Sequence, residues 1–136
     1  MKTVSSCLLL ALIAISPLAG ADDQGPITAG EVASWCEPYR HALLVNGAVS
    51  VDSTAQSQSC YGAFITIQQL GATIWDLHDK ESLLRTCLPP TSRTVELIQV
   101  FLHYTDEHPE RGHDKFTAIA LVALRKAYPC PSSVSH

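Results

Sequence analysis

The sequence predicts an all-α protein, a compact four-helix domain with a break in its first helix, stapled by two disulfides. Three observations predict this fold. Apolar residues recur at helical spacing in four segments of the chain. Proline and glycine separate these segments. An even set of cysteines follows a secretion signal, which indicates cross-linking in an oxidising compartment.

Residues 1–21 of the 136-residue chain have the pattern of a cleavable signal peptide. Lys2 supplies the positive charge, a short apolar run covers 7–15, and small residues at 18–21 suit the cleavage enzyme. The apolar run is far shorter than the roughly 20 residues that a membrane-spanning helix needs. We therefore expect export to the periplasm in soluble form, with residues 22–136 as one domain.

The first helix is expected to begin after Thr28, because Thr28 and Glu31 have the spacing of a capping box. Pro38 lacks a backbone donor, so a kink or break is expected near Glu37. Asn46-Gly47 is interpreted as the stop signal. The residues at helical spacing are Val32, Trp35, Tyr39 and the segment 41–44.

A polar connection is expected over 48–59, and the second helix is expected to start between Ser57 and Cys60 and to run to about Asp79. Its apolar residues cover more than one face, which is typical of a central, nearly buried helix. These residues are Tyr61, Phe64, Ile65, Ile67, Leu70, Ile74, Trp75 and Leu77.

The third helix is expected to be capped by Thr91 or Ser92 and to end before Pro109. Its apolar stripe consists of Val95, Ile98, Phe101 and Leu102.

The fourth helix follows the loop 108–112, with His113 and Asp114 at its start and Pro129 at its stop. Its inward residues are expected to be Phe116, Ile119, Ala120, Ala123, Leu124 and Ala127.

Four cysteines remain after cleavage of the signal: Cys36, Cys60, Cys87 and Cys130. A short loop makes helices three and four antiparallel neighbours, which brings Cys87 before helix three next to Cys130 after helix four. We therefore favour Cys87–Cys130, which leaves Cys36–Cys60. The other two pairings that four cysteines allow stay open at this point.

No motif indicates catalysis, and we expect no catalytic residue, no cofactor and no metal. The chain lacks G-x-S-x-G, H-E-x-x-H and a phosphate-binding glycine loop. His103, His108 and His113 are zinc-ligand types, but a spacing of five does not place them on one helix face. A solvated cluster at a helix end is the favoured interpretation, and zinc binding is the alternative.

The charge balance bears on the class of partner. The formal net charge is −4 at pH 7. Nucleic acids and anionic membranes need a basic face. We therefore expect no nucleic-acid partner and no membrane insertion.

Four pieces of the chain, in order, resemble the Rap/Tai family of type VI secretion immunity proteins. They are the early helical Cys36, the segment 60–65 (CYGAFI), the segment 87–90 (CLPP), and His108-Pro-Glu-Arg111 followed by an apolar helix into 128–131 (YPCP). Together they span about residues 28–131. Pro38 and the polar connection have no counterpart in the pattern.

The resemblance implies a small helical periplasmic protein, often a homodimer, that binds a secreted effector and neutralises it. The effectors of such proteins are peptidoglycan amidases with a Cys–His nucleophile pair. The loop between helices three and four is implied to enter the enzyme's cleft, which places Glu107, His108, Glu110 and Arg111 at the interface.

Two other functions are weighed against this one. The first alternative is a small disulfide-stabilised periplasmic protein with a chaperone or stress-response role, for which the six histidines offer a response to pH. The second is a secreted enzyme, which the absence of an active-site motif disfavours.

Overall fold

The computed structural model describes residues 27–42, 44–45, 48–76, 84 and 86–130, with only the backbone described for 44–45 and 72–76. The predicted signal peptide lies outside the described residues. The elements, in chain order, are α1 (Ala29–Cys36), β1 (Leu44–Val45), β2 (Ala48–Val49), α2 (Ala55–Asp76), α3 (Thr94–Glu107) and α4 (Phe116–Ala127). Short 3-10 turns follow α1 and α3. The predicted all-α, four-helix fold is confirmed, with one small hairpin added.

The start and the break of the first helix are as predicted. The Oγ1 of Thr28 accepts from the backbone N–H of Glu31 at 3.3 Å, and the Glu31 carboxylate accepts from the Thr28 N–H at 2.8 Å. The α-helix ends at Cys36, and Glu37–Tyr39 forms a 3-10 turn that carries Pro38 near its start. Pro38 ends α1, because it has no backbone N–H to donate to the preceding turn and its ring clashes with that turn.

The expectation that 41–44 extends the first helix is wrong. Leu44 and Val45 instead pair antiparallel with β2, with Leu44 opposite Val49 and Val45 opposite Ala48. Exactly two residues, 46 and 47, separate these strands, and their sequence Asn-Gly is the commonest type for a two-residue hairpin. The same dipeptide that suggested a helix stop thus carried the signal for the hairpin.

Helix α2 begins at Ala55, earlier than predicted, because Thr54 and Ser57 cap it reciprocally. The Oγ1 of Thr54 accepts from the Ser57 N–H at 3.0 Å, and the Oγ of Ser57 accepts from the Thr54 N–H at 2.9 Å. The helix is described to Asp76, so the predicted end near Asp79 lies outside the described residues.

The prediction that α2 is nearly buried is wrong for its described side chains. One stripe, Ser57, Cys60 and Phe64, is fully buried, while Leu70 is 49% exposed. Helix α2 packs against α1 and α3, so one face of its described part meets the core. Apolar residues on its other faces misled the sequence interpretation.

Helix α3 begins at Thr94 with Arg93 as its N-cap, so the predicted caps Thr91 and Ser92 are wrong. The Glu96 carboxylate accepts from the Arg93 N–H at 3.1 Å and satisfies one exposed donor of the first turn. The helix ends at Glu107, before Pro109, as predicted. Its predicted apolar stripe is buried.

Helix α4 begins at Phe116 with Lys115 as its N-cap, later than His113 and Asp114 predicted. Five of its predicted inward residues are buried, whereas Ala127 is exposed. The centre of the core is an aromatic trio in which Phe64 of α2, Phe101 of α3 and Phe116 of α4 lie with ring centroids 5.4–5.7 Å apart.

Both disulfides have the predicted pairing. Cys36–Cys60 joins the end of α1 to α2 inside the core, with both residues fully buried. Cys87–Cys130 joins the segment before α3 to the segment after α4, and both residues are partly exposed. The backbone beside it is paired too, because the Cys87 N–H donates to the Tyr128 carbonyl at 3.0 Å. In the described part of the chain no helix is long and apolar enough to cross a membrane.

Replacing Thr86 with valine is expected to raise the free energy of unfolding by about 1 kcal/mol. Thr86 is 2% exposed, and within the described part of the chain its Oγ1 has no hydrogen-bond partner. Valine keeps the shape and removes the unsatisfied hydroxyl. Urea denaturation measures the change.

The matched control is Thr94→Val. The Thr94 hydroxyl is also buried but donates to Oε1 of Gln68 at 2.6 Å, so this variant is expected to lose about 1 kcal/mol. Equal losses in the two variants would contradict the prediction.

Candidate functional site

The four predicted contact residues lie together in one surface feature. Glu107 is the last residue of α3, His108 caps it, and Glu110 and Arg111 belong to the 3-10 turn Pro109–Arg111. We call residues 106–114, which are the last two residues of α3 and most of the connection to α4, the projection. The proline in this turn ends α3, because it cannot supply the backbone donor that a further α-helical turn needs.

Backbone hydrogen bonds pin the projection to the start of α1. The N–H of Ala29 donates to the Asp114 carbonyl at 2.8 Å, and the N–H of Gly30 donates to the Gly112 carbonyl at 2.9 Å. Just beyond the projection, the N–H of Phe116 donates to the Ile27 carbonyl at 3.0 Å. The first N–H groups of a helix have no partner within the helix, and here carbonyl groups of the projection accept two of them. Its backbone is therefore held in place.

The contact at Gly30 explains why glycine stands there. A Cβ at position 30 would lie 3.2 Å from the backbone oxygen of Gly112, tighter than ordinary van der Waals contact. An added Cβ would push the two backbones a few tenths of an ångström apart at this hydrogen-bonded contact.

Arg111 braces the projection from within. Its Nε donates to Oδ2 of Asp114 at 2.9 Å, and its Nη1 donates to the hydroxyl of Tyr104 at 3.1 Å. The bond to Asp114, and next the bond to Tyr104, raise the pKa of Arg111 above its ordinary value. Of the four predicted contact residues, Arg111 thus has a clear internal bracing role.

Glu110 and His108 present the outer surface of the turn. Nδ1 of His108 lies 3.3 Å from Oε1 of Glu110, and the His108 ring packs on the Tyr104 ring with centroids 4.4 Å apart. The Glu110 side chain is 67% exposed. Its carboxylate is therefore accessible to a partner.

Glu107 has two exposed partners at the base of the projection. Its Oε1 lies 3.3 Å from Nε2 of His103 and its Oε2 lies 3.5 Å from Nζ of Lys126. All three side chains are well exposed, so each pair contributes at most about 1 kcal/mol. A partner can rearrange these pairs easily.

Arg40, which the sequence analysis did not select, clamps the same base from the 3-10 turn after α1. Its guanidinium donates to Oε1 of Glu37 at 2.6 Å and to Oε2 at 2.8 Å, and it also donates to both carboxylate oxygens of Asp106. The pKa of Glu37 is lowered chiefly by this hydrogen bond. The clamp joins residues far apart in sequence, so no local signal predicted it.

Replacing Arg40 with glutamine is expected to reduce the amount by which the free energy of unfolding falls in acid. The folded-state pKa of Glu37 is lowered, so its stabilisation is present above the ordinary carboxyl pKa and is lost as pH falls through the folded value. Because Glu37 is well exposed, the difference amounts to about 0.5 kcal/mol between roughly pH 5 and 3. Urea denaturation at several pH values measures it.

Arg125→Gln is the control for Arg40→Gln, since it removes the same charge. Arg125 donates to the backbone carbonyl of Leu84, at 2.7 Å, and not to a carboxylate. Its variant should keep the acid slope of the parent protein. If the free energy of unfolding of Arg40→Gln fell with pH as steeply as that of the parent protein, the hydrogen bonds of Arg40 would make no contribution to the acid dependence of stability.

His103, His108 and His113 do not form one cluster. His103 and His108 each face a carboxylate, and His113 is exposed. Within the described ranges no three His, Cys, Asp or Glu side chains are grouped to hold a metal ion. The four described cysteines are all in disulfides, so none of them is a thiolate.

A cleft of about 610 Å³ opens away from the projection, between the hairpin, α2 and the start of α3. Tyr39, Tyr61 and three valines line it, together with Arg93 and other polar residues. Its described lining contains no carboxylate, histidine or cysteine. Two histidines and four carboxylates lie in the projection instead.

The fold and the projection together define a class: a small, disulfide-stapled helical protein with an exposed connection that backbone hydrogen bonds hold in place. The chain belongs to the Rap1a immunity proteins, whose family model matches residues 18–130. Comparisons with curated proteins and with solved structures find no match.

Membership of this family indicates an immunity protein that acts against a secreted effector, and an inhibitor rather than an enzyme. The family and the two disulfides together indicate a location outside the cytoplasm.

Proposed function

We propose that this protein protects the periplasm by plugging the active-site cleft of a type VI secreted peptidoglycan amidase with its projection. The observation that carries the proposal is the pinned backbone of residues 106–114, with Glu110 at its exposed tip. A loop that is already ordered loses little conformational entropy on binding. Occlusion of a cleft requires this rigidity and requires no chemistry from the inhibitor.

The proposal includes export. A signal peptide over residues 1–21 would deliver the chain to the periplasm, where both disulfides persist. N-terminal sequencing of the protein from a periplasmic extract tests the cleavage after Ala21.

Capture and inhibition test the function. The exported, oxidised protein is immobilised and exposed to type VI secretion products of a strain that carries the gene. The captured partner is identified by mass spectrometry and purified. We expect it to cleave peptidoglycan sacculi at an amide bond, and to lose that activity when one equivalent of the immunity protein is added. A tightly bound partner that cleaves no amide bond would refute the amidase as the target.

Survival in competition is the second test. Cells that lack the gene should lyse when a sister strain delivers the effector, and expression of the exported protein should protect them. Protection by a form without residues 1–21 would contradict action in the periplasm. Light scattering of the purified protein measures whether it forms the homodimer that the family resemblance implies.

A further inference from the structure

A groove lies beside the projection, between α3 and α4. It has a volume of about 280 Å³, and its floor consists of Val100, Tyr104, Ala123 and Ala127. Two alanines one helical turn apart leave the space open, because a larger side chain on α4 would fill it. The exposure of Ala127, which sequence periodicity placed in the core, is explained by this groove.

The rim of the groove is charged and movable. Lys126 stands with its Nζ 5.7 Å from the centroid of the Tyr104 ring, and Glu107 and His103 face it across the opening. The Lys126 and Glu107 side chains are more than 40% exposed, so their ion pair opens at little cost.

We propose that this groove receives an aromatic side chain of the effector, which packs against Tyr104 once Lys126 has moved aside and stays in contact with the Lys126 ammonium group. The inference rests on the proposed function and names the chemistry of a second contact beside the projection. An aromatic ring suits the groove because it packs on the Tyr104 ring and presents its face to the ammonium group. An aliphatic side chain would gain only burial, and a charged one would lose hydration.

The occupant is the effector because the groove and the projection share residues. Tyr104 forms the groove floor, packs on His108 and accepts from Arg111. Glu107 belongs to both the groove rim and the projection. A protein that covers the projection therefore also covers the groove. A buried aromatic anchor beside exposed charged contacts is the usual anatomy of a strong interface.

Indole is a probe for the groove that needs no effector. In a titration followed by amide NMR, we expect shifts at Val100, Ala123 and Ala127, with a dissociation constant of about 1–10 mM. Lys126→Gln should weaken indole binding about two- to fivefold, since it removes the cation and keeps most of the stem. The absence of shifts at these amides up to the solubility of indole would overturn the proposal.

Ala127→Trp tests the groove against the captured effector. The new side chain occupies the groove from within, so we expect affinity for the effector to fall at least tenfold and indole binding to disappear. Ala55→Trp is the matched control, because Ala55 is exposed at the start of α2 and does not line the groove. Thermal melts check that both variants fold, and Lys126→Gln, expected to bind the effector more weakly as well, provides a second variant.

The outcomes separate this inference from the proposed function. Full effector affinity in Ala127→Trp, with affinity lost on charge reversal in the projection, would overturn the groove and leave the function standing. Capture of no effector at all would count against the proposed function, and the indole titration would still decide whether the groove takes aromatic rings.

Discussion

Reversing the charges of Glu107 and Glu110 together is expected to weaken binding of the effector at least tenfold, which corresponds to about 1.4 kcal/mol. Both carboxylates are exposed, and their present contacts with His103, Lys126 and His108 are weak. In the proposed complex they meet basic groups at the mouth of the effector's cleft. Lysines at these positions would face like charge there, and desolvation would strengthen the repulsion. The fold should be unaffected, because neither side chain reaches the core.

Isothermal titration or surface plasmon resonance of the Glu107→Lys, Glu110→Lys double variant measures the change. Asp52→Lys is the charge-matched control for Glu110→Lys alone, since each reverses one exposed charge and Asp52, between β2 and α2, lies outside the projection. It should bind within about twofold of the parent protein. Glu110→Lys alone measures the contribution of Glu110 to binding separately from that of Glu107, because it leaves the pair between Glu107 and Lys126 intact. Unchanged affinity in the double variant would place the interface elsewhere on the protein.

Local interactions explain which parts of the fold were predictable. The capping box at Thr28, the break at Pro38 and the end of α3 before Pro109 each depend on residues within a few positions of one another. The disulfide pairing followed from topology, because a short connection between two helices determines which chain ends meet. Periodicity failed at Leu44, where a short apolar run fits strand and helix equally well.

The candidate site was predictable only in outline. Its four residues came from a family resemblance and form one contiguous feature, yet what makes that feature rigid is long-range. Arg40 and Asp106 are 66 positions apart. The bond from Gly30 to Gly112 likewise joins two turns that only the folded chain brings together. No local pattern predicts such contacts, because they depend on how α1 packs against the end of α3.

Removing Cys36–Cys60 is expected to destabilise the protein more than removing Cys87–Cys130. Loop-closure entropy alone gives the opposite order, with about 3.5 kcal/mol for the separation of 24 residues and about 4 kcal/mol for the separation of 43. Burial reverses this order. Cys36 and Cys60 are fully buried, so alanines there leave a cavity that adds about 1–2 kcal/mol, whereas the other pair is partly exposed.

Urea denaturation of the Cys36→Ala, Cys60→Ala variant and of the Cys87→Ala, Cys130→Ala variant measures both losses. The first should approach about 5 kcal/mol, which is the whole stability of a marginal domain, and the second about 4 kcal/mol. A greater loss in the second variant would show that chain entropy outweighs packing.

Partial reduction of the two disulfides adds an independent check. Alkylation and mass spectrometry in mild reductant should find Cys87 and Cys130 modified first, because reductant reaches a partly exposed sulfur more readily than a buried one. Loss of the buried bond should also weaken inhibition, since it holds α1, on whose first turn the projection is pinned.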